Sequence, residues 1–310
     1  MPLLADYAIT PDVFDVASYS SSGECEARLD NIRQVMLTEG VVRDFRDGEW
    51  HATFKPDARQ WHRRGAELVK KLATQGRLVP YPPALPDPPL NDRDWCAEAL
   101  ATHERRPLTG GVIVTESVKD CYRNEQAVAR IDRLPSAPWW AARSPSVRLA
   151  RTLAEYETHL DPILRCSNSL MFIDPHLDPA KPRYGGFGTL LQRAGLRTPA
   201  PRIEIHRVCY EGAGRGRWFP DFGPAFRGAL TESLRVAGLT ATVHIWDDFH
   251  DRYLISNLIG ISLPNGFDTS SAPATVTTWP RLGRRDRDDI QREFDPAARR
   301  HALRDCFEVP

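Results

Sequence analysis

Between Ala241 and Asp268 the chain alternates apolar and polar segments in a way that leaves few folds open. The run Ala241–Trp246 is followed by the polar hexapeptide Asp247-Asp-Phe-His-Asp-Arg252. A second apolar run, Tyr253–Ile255, and a third, Ile259–Leu263, lead into Asn265-Gly-Phe-Asp268. Apolar runs this short, rich in β-branched and aromatic residues and bounded by turn formers, read as strands. The polar hexapeptide then lies at a sheet end, and His250 and Arg252 are carried at the start of the next strand.

The preceding residues supply partners for those strands. Ser146–Cys166 has a helical pattern, Leu170–Ile173 is strand-like, and a helix near 187–194 precedes the strand Ile203–Val208. Phe222, Phe226, Leu230 and Leu234 form an i, i+4 stripe that marks another helix. The order β-α-β-α-β-β predicts an α/β unit with a mixed sheet flanked by helices. Upstream, Leu29, Ile32 and Met36 share a helical face over 24–39, with Gly40 as its stop. Asp47-Gly48 between Val41–Phe45 and Glu49–Phe54 predicts a hairpin. A helix follows over 57–74, then an extended Arg77–Val79, six prolines within 80–89, a helix over 92–103 and the strand Val112–Thr115. The Pro-rich and Trp-rich stretch 134–145 breaks the pattern, so a smaller α/β domain over 1–145 is expected before a larger one over 146–310. Trp139-Trp140 within it reads as packing at the junction or as a partner anchor.

Composition excludes several classes. The formal net charge is zero, so the chain is not a globally basic nucleic-acid binder, although a local patch is open to it. No apolar run is long enough to cross a membrane, and residues 1–6 lack the features of a signal peptide. Six scattered cysteines without a Cys-x-x-Cys pair predict free thiols in a reducing cytoplasm and no structural zinc. Of 41 basic residues only five are lysine, leaving 36 arginines, and guanidinium binds oxyanions as a planar fork. The arginine-rich tail 281–304, interleaved with acids, predicts a solvated, ion-paired helix.

His250-Asp-Arg252, with Asn257 four residues beyond Tyr253 and the Asn265-Gly-Phe-Asp268 turn, resembles the His-x-Lys…Asp…Gly motif of the phospholipase D superfamily. Together with Phe172-Ile-Asp-Pro-His-Leu-Asp178, the pattern over 146–310 is most similar to the phospholipase D-like C-terminal domain of MIT-domain proteins and related bacterial proteins. That eukaryotic domain is non-catalytic and binds phosphoinositides. The resemblance implies phosphodiester recognition, nucleic acid foremost, in the manner of a defence-associated nuclease or effector subunit. It equally implies the alternative of a non-catalytic scaffold that binds an anionic lipid headgroup. In active members one motif histidine is the nucleophile and a second protonates the leaving oxygen, so His250 would act within a homodimer or a larger complex. Histidine suits both roles because it exchanges protons near neutrality. Arg252 stands where the motif has Lys and would hold phosphate oxygens. Asn257 stands where the motif has Asp and would orient by hydrogen bonding without supplying charge.

His176, at the carboxyl end of a predicted strand, is a candidate second imidazole. Asp174, Asp268 and the two arginines of Gly212-Ala-Gly-Arg215-Gly-Arg217-Trp218 are candidate substrate-binding residues. No metal or other cofactor is expected. In the first domain Asp12, Glu98 and Glu116 resemble the acidic positions of PIN-type nucleases, which cluster carboxylates around divalent metal. The alternative is an interaction domain with those acids on caps and solvated faces.

Overall fold

The structure, a computed structural model, describes residues 2–55, 59–211, 221–270, 272 and 274–310. It is α/β throughout, with parallel and mixed sheets flanked by helices, and its contacts fall into two compact units, Leu3–Ser144 and Pro145–Pro310.

The first unit is built on five parallel strands: β1 (Ala5–Ile9), β2 (Gly40–Asp44), β3 (Leu78–Tyr81), β4 (Val112–Val114) and β5 (Val128–Arg130), in the order β3-β2-β1-β4-β5. Every residue of β1, β2 and β4 is buried, as parallel strands covered on both faces must be. The connecting helices are α1 (Ser22–Thr38), α2 (Phe45–Ala52), α3 (Arg63–Thr74), α4 (Asp92–Arg105), α5 (Glu116–Lys119) and α6 (Pro138–Ala141). In α1 Leu29, Ile32 and Met36 face the core as their spacing predicts, and the Ser21 hydroxyl caps it by accepting from the Glu24 N–H at 3.2 Å. The Asp47-Gly48 hairpin is not formed. β2 lies inside the sheet between β1 and β3 and has no free edge for a hairpin partner. Instead Arg46, Asp47 and Gly48, at φ of 56°, 55° and 108°, turn the chain into the helical segment that buries Trp50, whose indole N–H donates to the Ile9 carbonyl at 2.6 Å. Arg43 crosses from β2 to Asp6 on β1 at 2.7 Å with its guanidinium 4.3 Å above the Tyr81 ring. Burial alone would raise the Asp6 carboxyl, but Arg43 and the Thr109 N–H hold it below its ordinary value. Trp139 and Trp140 pack within this unit, each 6.1 Å from the Tyr7 ring.

The second unit begins with β6 (Ser146–Ala150), where helix was expected. It is a strand because it pairs antiparallel with the distant β12 (Val276–Pro280), a long-range choice with no local signal. Then follow α7 (Leu153–Cys166), β7 (Ser169–Ile173), α8 (Phe187–Ala194), β8 (Arg202–Val208), α9 (Gly223–Ala237), β9 (Ala241–Trp246), β10 (Tyr253–Ser256), β11 (Gly260–Ser262), α10 (Arg284–Glu293) and β13 (Leu303–Val309). The main sheet runs β11-β10-β7-β8-β9-β13. β7, β8 and β9 are parallel, while β10, β11 and β13 run against their neighbours. The arginine-rich tail is therefore helical over α10 and a short 3-10 turn at Pro296–Ala298, and ends as an edge strand. No helix among the described residues is long and apolar enough to cross a membrane.

On one face of this sheet His206 stacks on His244 at 4.8 Å, and its Nδ1 accepts from the Trp246 indole at 3.1 Å. Burial, with His244 adding to it, pushes the His206 imidazole down to about 3. The unfolded chain binds a proton there near pH 6.5 and the folded chain does not, so stability is full above pH 6.5 and is lost as pH falls towards about 3. The expected slope is up to about 1.4 kcal/mol per pH unit. Urea unfolding across that window should show it in the natural chain and show it much reduced in His206→Gln, which keeps an acceptor without a titrating ring. Equal slopes in both proteins would contradict the assignment.

Candidate functional site

The site follows from the strand order of the second unit. β9 ends at Trp246, and the next strand, β10, lies three positions away, on the far side of β8 and β7. Residues 247–252 therefore cross the carboxyl ends of the parallel strands, where α/β sheets gather their ligands. Tyr253 pairs with Ile173, so Arg252 arrives beside Asp174, the residue that follows β7.

Asp174 is fully buried and its two oxygens are heavily used. Oδ1 accepts from the His176 N–H at 3.0 Å and lies 3.6 Å from Arg252 Nε. Oδ2 accepts from the Phe267 N–H at 3.1 Å and the Tyr184 hydroxyl at 3.2 Å. Burial pushes this carboxyl above its ordinary value, opposed by those N–H donors and by Arg252. The expected role of Asp174 as a substrate contact is thus corrected: it has no exposed surface, and it organises the groups that do.

Those groups surround a cleft of about 140 Å³ lined by His176, Arg183, Tyr184, Arg252, Pro264, Asn265 and Asp268. Arg252 is 29% exposed, so its fork stays accessible while Asp174 anchors it. Arg183 is exposed and lies 5.2 Å over the Tyr184 ring. His176 is half-buried. Desolvation, then the charges of Arg252, Arg207 and Arg183, push its imidazole below 6.5, so the ring is neutral near pH 7. Behind the cleft the buried Arg207 donates to the carbonyls of Val208, Leu177 and Tyr210 at 2.9, 3.1 and 3.2 Å, tying the loop after β7 to the loop after β8. Burial lowers its guanidinium to about 10. The arrangement offers charged donors for an oxyanion and a neutral imidazole able to act as base or nucleophile.

The structure redistributes the expected roles. His176 and Arg252 come together. His250 sits on the crossing loop with its side chain 76% exposed, 4.0 Å from Asp248, and is not among the residues lining the cleft. Asn257 is at the other end of β10, where its Oδ1 accepts from the Asn168 N–H at 2.9 Å and its carbonyl from Arg287 at 2.9 Å. A four-residue strand separates it from Arg252, so it belongs to the opposite end of the sheet. Asp268 lines the cleft, but its carboxylate is engaged by Arg151 and its carbonyl accepts from Tyr156, so it braces the wall. Arg215 and Arg217 lie outside the described residues.

Arg183, Tyr184, Asn265 and Arg207 were not read as site residues from sequence. Asn265-Gly266 was visible as a turn, but the other three depend on which loops meet at the sheet end. The acidic trio of the first unit does not assemble. Glu98 is fully buried and accepts from the N–H groups of Ala84 and Leu85 at 2.6 and 3.1 Å. Glu116 pairs with Arg130, and Asp12 is buried against the Thr115 N–H and hydroxyl. Among the described residues no group of three or more His, Cys, Asp or Glu side chains is placed to hold a metal ion.

No family model matches the chain, and no curated protein matches it significantly. Among solved structures it is similar to TrmBL2, described as an archaeal chromatin protein with a novel mode of DNA binding. The identity is 10%, over 79% of this chain and 84% of that chain, with a TM-score of 0.32. A likeness of that size carries no argument about fold or activity.

Gly266 gives a direct test of the cleft. Its φ is +65°, and a Cβ there would sit 1.9 Å from Asp174 Oδ2 and 3.1 Å from Arg252 Cδ. Gly266→Ala should cost about 1–3 kcal/mol of stability, the scale of overpacking. Thermal melts equal to those of the natural chain would show that the cleft is not built as described.

Proposed function

We propose that the second unit recognises phosphodiesters, nucleic acid foremost, through the cleft formed by Arg252, Arg183, His176 and Asn265. The observation that carries this is the convergence of two accessible guanidinium groups and a half-buried neutral imidazole on one small opening. The cleft has room for a phosphate group and leaves the rest of the ligand outside, so affinity comes from charge and not from reading a base. On this reading residues 146–310 are a phospholipase D-like domain with a degenerate motif. The first domain is an interaction module, since its acids are engaged in structural contacts. Six free thiols accord with a cytoplasmic protein.

Binding without turnover is favoured by one observation: Asn257, at the place of the motif carboxylate, lies away from the cleft and provides no charge to a histidine there. If cleavage occurs, His176 is the imidazole placed to take the proton of a water that attacks the phosphorus as the P–O bond to the leaving oxygen breaks, and to pass that proton to the leaving oxygen, with Arg252 and Arg183 holding the non-bridging oxygens.

Two measurements follow. Arg252→Ala should weaken binding of single- or double-stranded oligonucleotides by about 1.5–3 kcal/mol, the scale of a hydrogen bond to a charged group. Arg252→Lys should recover part of it, and the salt dependence should flatten in the Ala variant. A natural chain that does not bind oligonucleotides, with binding confined to phosphoinositide vesicles, would favour the lipid-headgroup alternative.

Any hydrolysis of an oligonucleotide should disappear in His176→Ala and survive both Asn257→Ala and EDTA. Cleavage that EDTA abolishes and His176→Ala spares would place the chemistry elsewhere in the chain.

A further inference from the structure

The cleft has two kinds of wall. Arg252 and the 176–184 segment bring guanidinium groups and an imidazole to it, and the turn that follows β11 brings Asn265 and Asp268. Three backbone donors of that turn are spent inside the protein: the Gly266 N–H on the Leu263 carbonyl at 2.7 Å, the Phe267 N–H on Asp174 at 3.1 Å and the Thr269 N–H on the Arg183 carbonyl at 2.8 Å. Its side chains keep free groups. The Asn265 amide has no hydrogen-bond partner among the described residues, and Asp268 gives only Oδ1 to Arg151. Asp268 Oδ2 is left without a partner among the described residues, and that side chain is 20% exposed.

A phosphate held by Arg252 and Arg183 does not by itself suit this second wall. Two anionic groups in one small cleft repel unless a hydrogen lies between them. A DNA phosphodiester brings no such hydrogen. RNA does, because its 2′-hydroxyl stands beside the 3′-phosphate and is both donor and acceptor. We infer that the 264–268 turn reads that hydroxyl and that the cleft selects RNA over DNA. The inference rests on the phosphodiester reading and names its substrate class. The 2′-hydroxyl donates to the free Asp268 oxygen and accepts from the Asn265 amide, while the guanidinium groups hold the phosphate.

The fold holds the turn in place for this task. Phe267 packs on Phe172 and Phe187 with ring centroids 5.3 and 5.6 Å apart, and the Tyr156 hydroxyl donates to the Asp268 carbonyl at 3.0 Å. Groups fixed in this way lose little freedom when a ligand arrives. Selection on the sugar also agrees with a cleft that admits a phosphate and leaves the base outside. Sugar and phosphate contacts carry no base sequence, so RNA is bound whatever its sequence.

Fluorescence anisotropy at one fixed salt concentration tests this with oligouridine of about ten nucleotides, its deoxy counterpart and its 2′-fluoro counterpart. The RNA should bind about tenfold more tightly than either analogue, the scale of one hydrogen bond to a charged group. The 2′-fluoro sugar keeps the RNA shape and lacks the hydrogen, so it separates hydrogen bonding from shape, and it is measured on the natural chain without any variant. In Asn265→Ala the RNA affinity should fall further than the DNA affinity, which brings the preference to about twofold or less. RNA and DNA bound equally, with both weakened by Arg252→Ala, would overturn the selection of RNA and leave the phosphate cleft standing. An RNA preference that survives 2′-fluoro substitution or Asn265→Ala would overturn the role of the turn. Binding of phosphoinositide vesicles alone, with no oligonucleotide bound, would overturn both this inference and the nucleic-acid reading beneath it.

Discussion

The buried carboxylate of Asp174 is the interaction on which the candidate site depends. It follows β7 at the sheet end and gathers three segments remote in sequence: the turn carrying His176 and Tyr184, the Asn265–Asp268 turn, and the start of β10 with Arg252. An unpaired buried carboxylate is costly, and here the cost is offset by backbone donors and one guanidinium. Because those donors fix where the loops run, Asp174 determines the shape of the cleft without touching its contents. Gly266 belongs to the same arrangement, since only a residue without a side chain leaves room for the carboxylate.

The first unit contains a comparable pair with a different outcome. Arg43 and Asp6 are both buried, and Arg43 spends its remaining donors on Thr102 and the Arg106 carbonyl while lying over Tyr81. That pair closes on itself and joins two strands. Arg252 has its carboxylate buried and its own fork partly in solvent. The contrast separates an ion pair that holds a fold together from one that presents a charge.

Much of the second unit was legible because its strands are short apolar runs separated by amphipathic helices, a pattern set by burial. What stayed hidden has one physical cause, long-range pairing. β6 and β13 are strands only because β12 and β9 accept them, and their sequences carry no alternation strong enough to announce it. β1 escaped because a short, fully buried parallel strand containing Asp6 looks polar until Arg43 is placed beside it. The Asp47-Gly48 turn was real, but it turns the chain into a helix, since β2 has neighbours on both sides. At the site, the sequence pointed to the ends of β7 and β10, and to Arg252 and His176, which line one cleft. It also pointed to His250 and Asn257, since spacing along a chain does not reveal that a four-residue strand carries its ends to opposite sides of a sheet. Arg183 and Arg207 had no local signal, because their roles arise from the meeting of separate loops.

We propose that the imidazole of the candidate site is His176, held under the charge of Arg252, and not His250. Titrating the two histidine ring resonances by NMR, with and without inorganic phosphate, tests it most directly. In the free protein His176 should titrate below 6.5, and phosphate should raise it by offsetting the guanidinium charges. In Arg252→Ala the free value should move up towards 6.5 and the response to phosphate should shrink. A His176 resonance indifferent to phosphate, with His250 shifting in its place, would contradict the account.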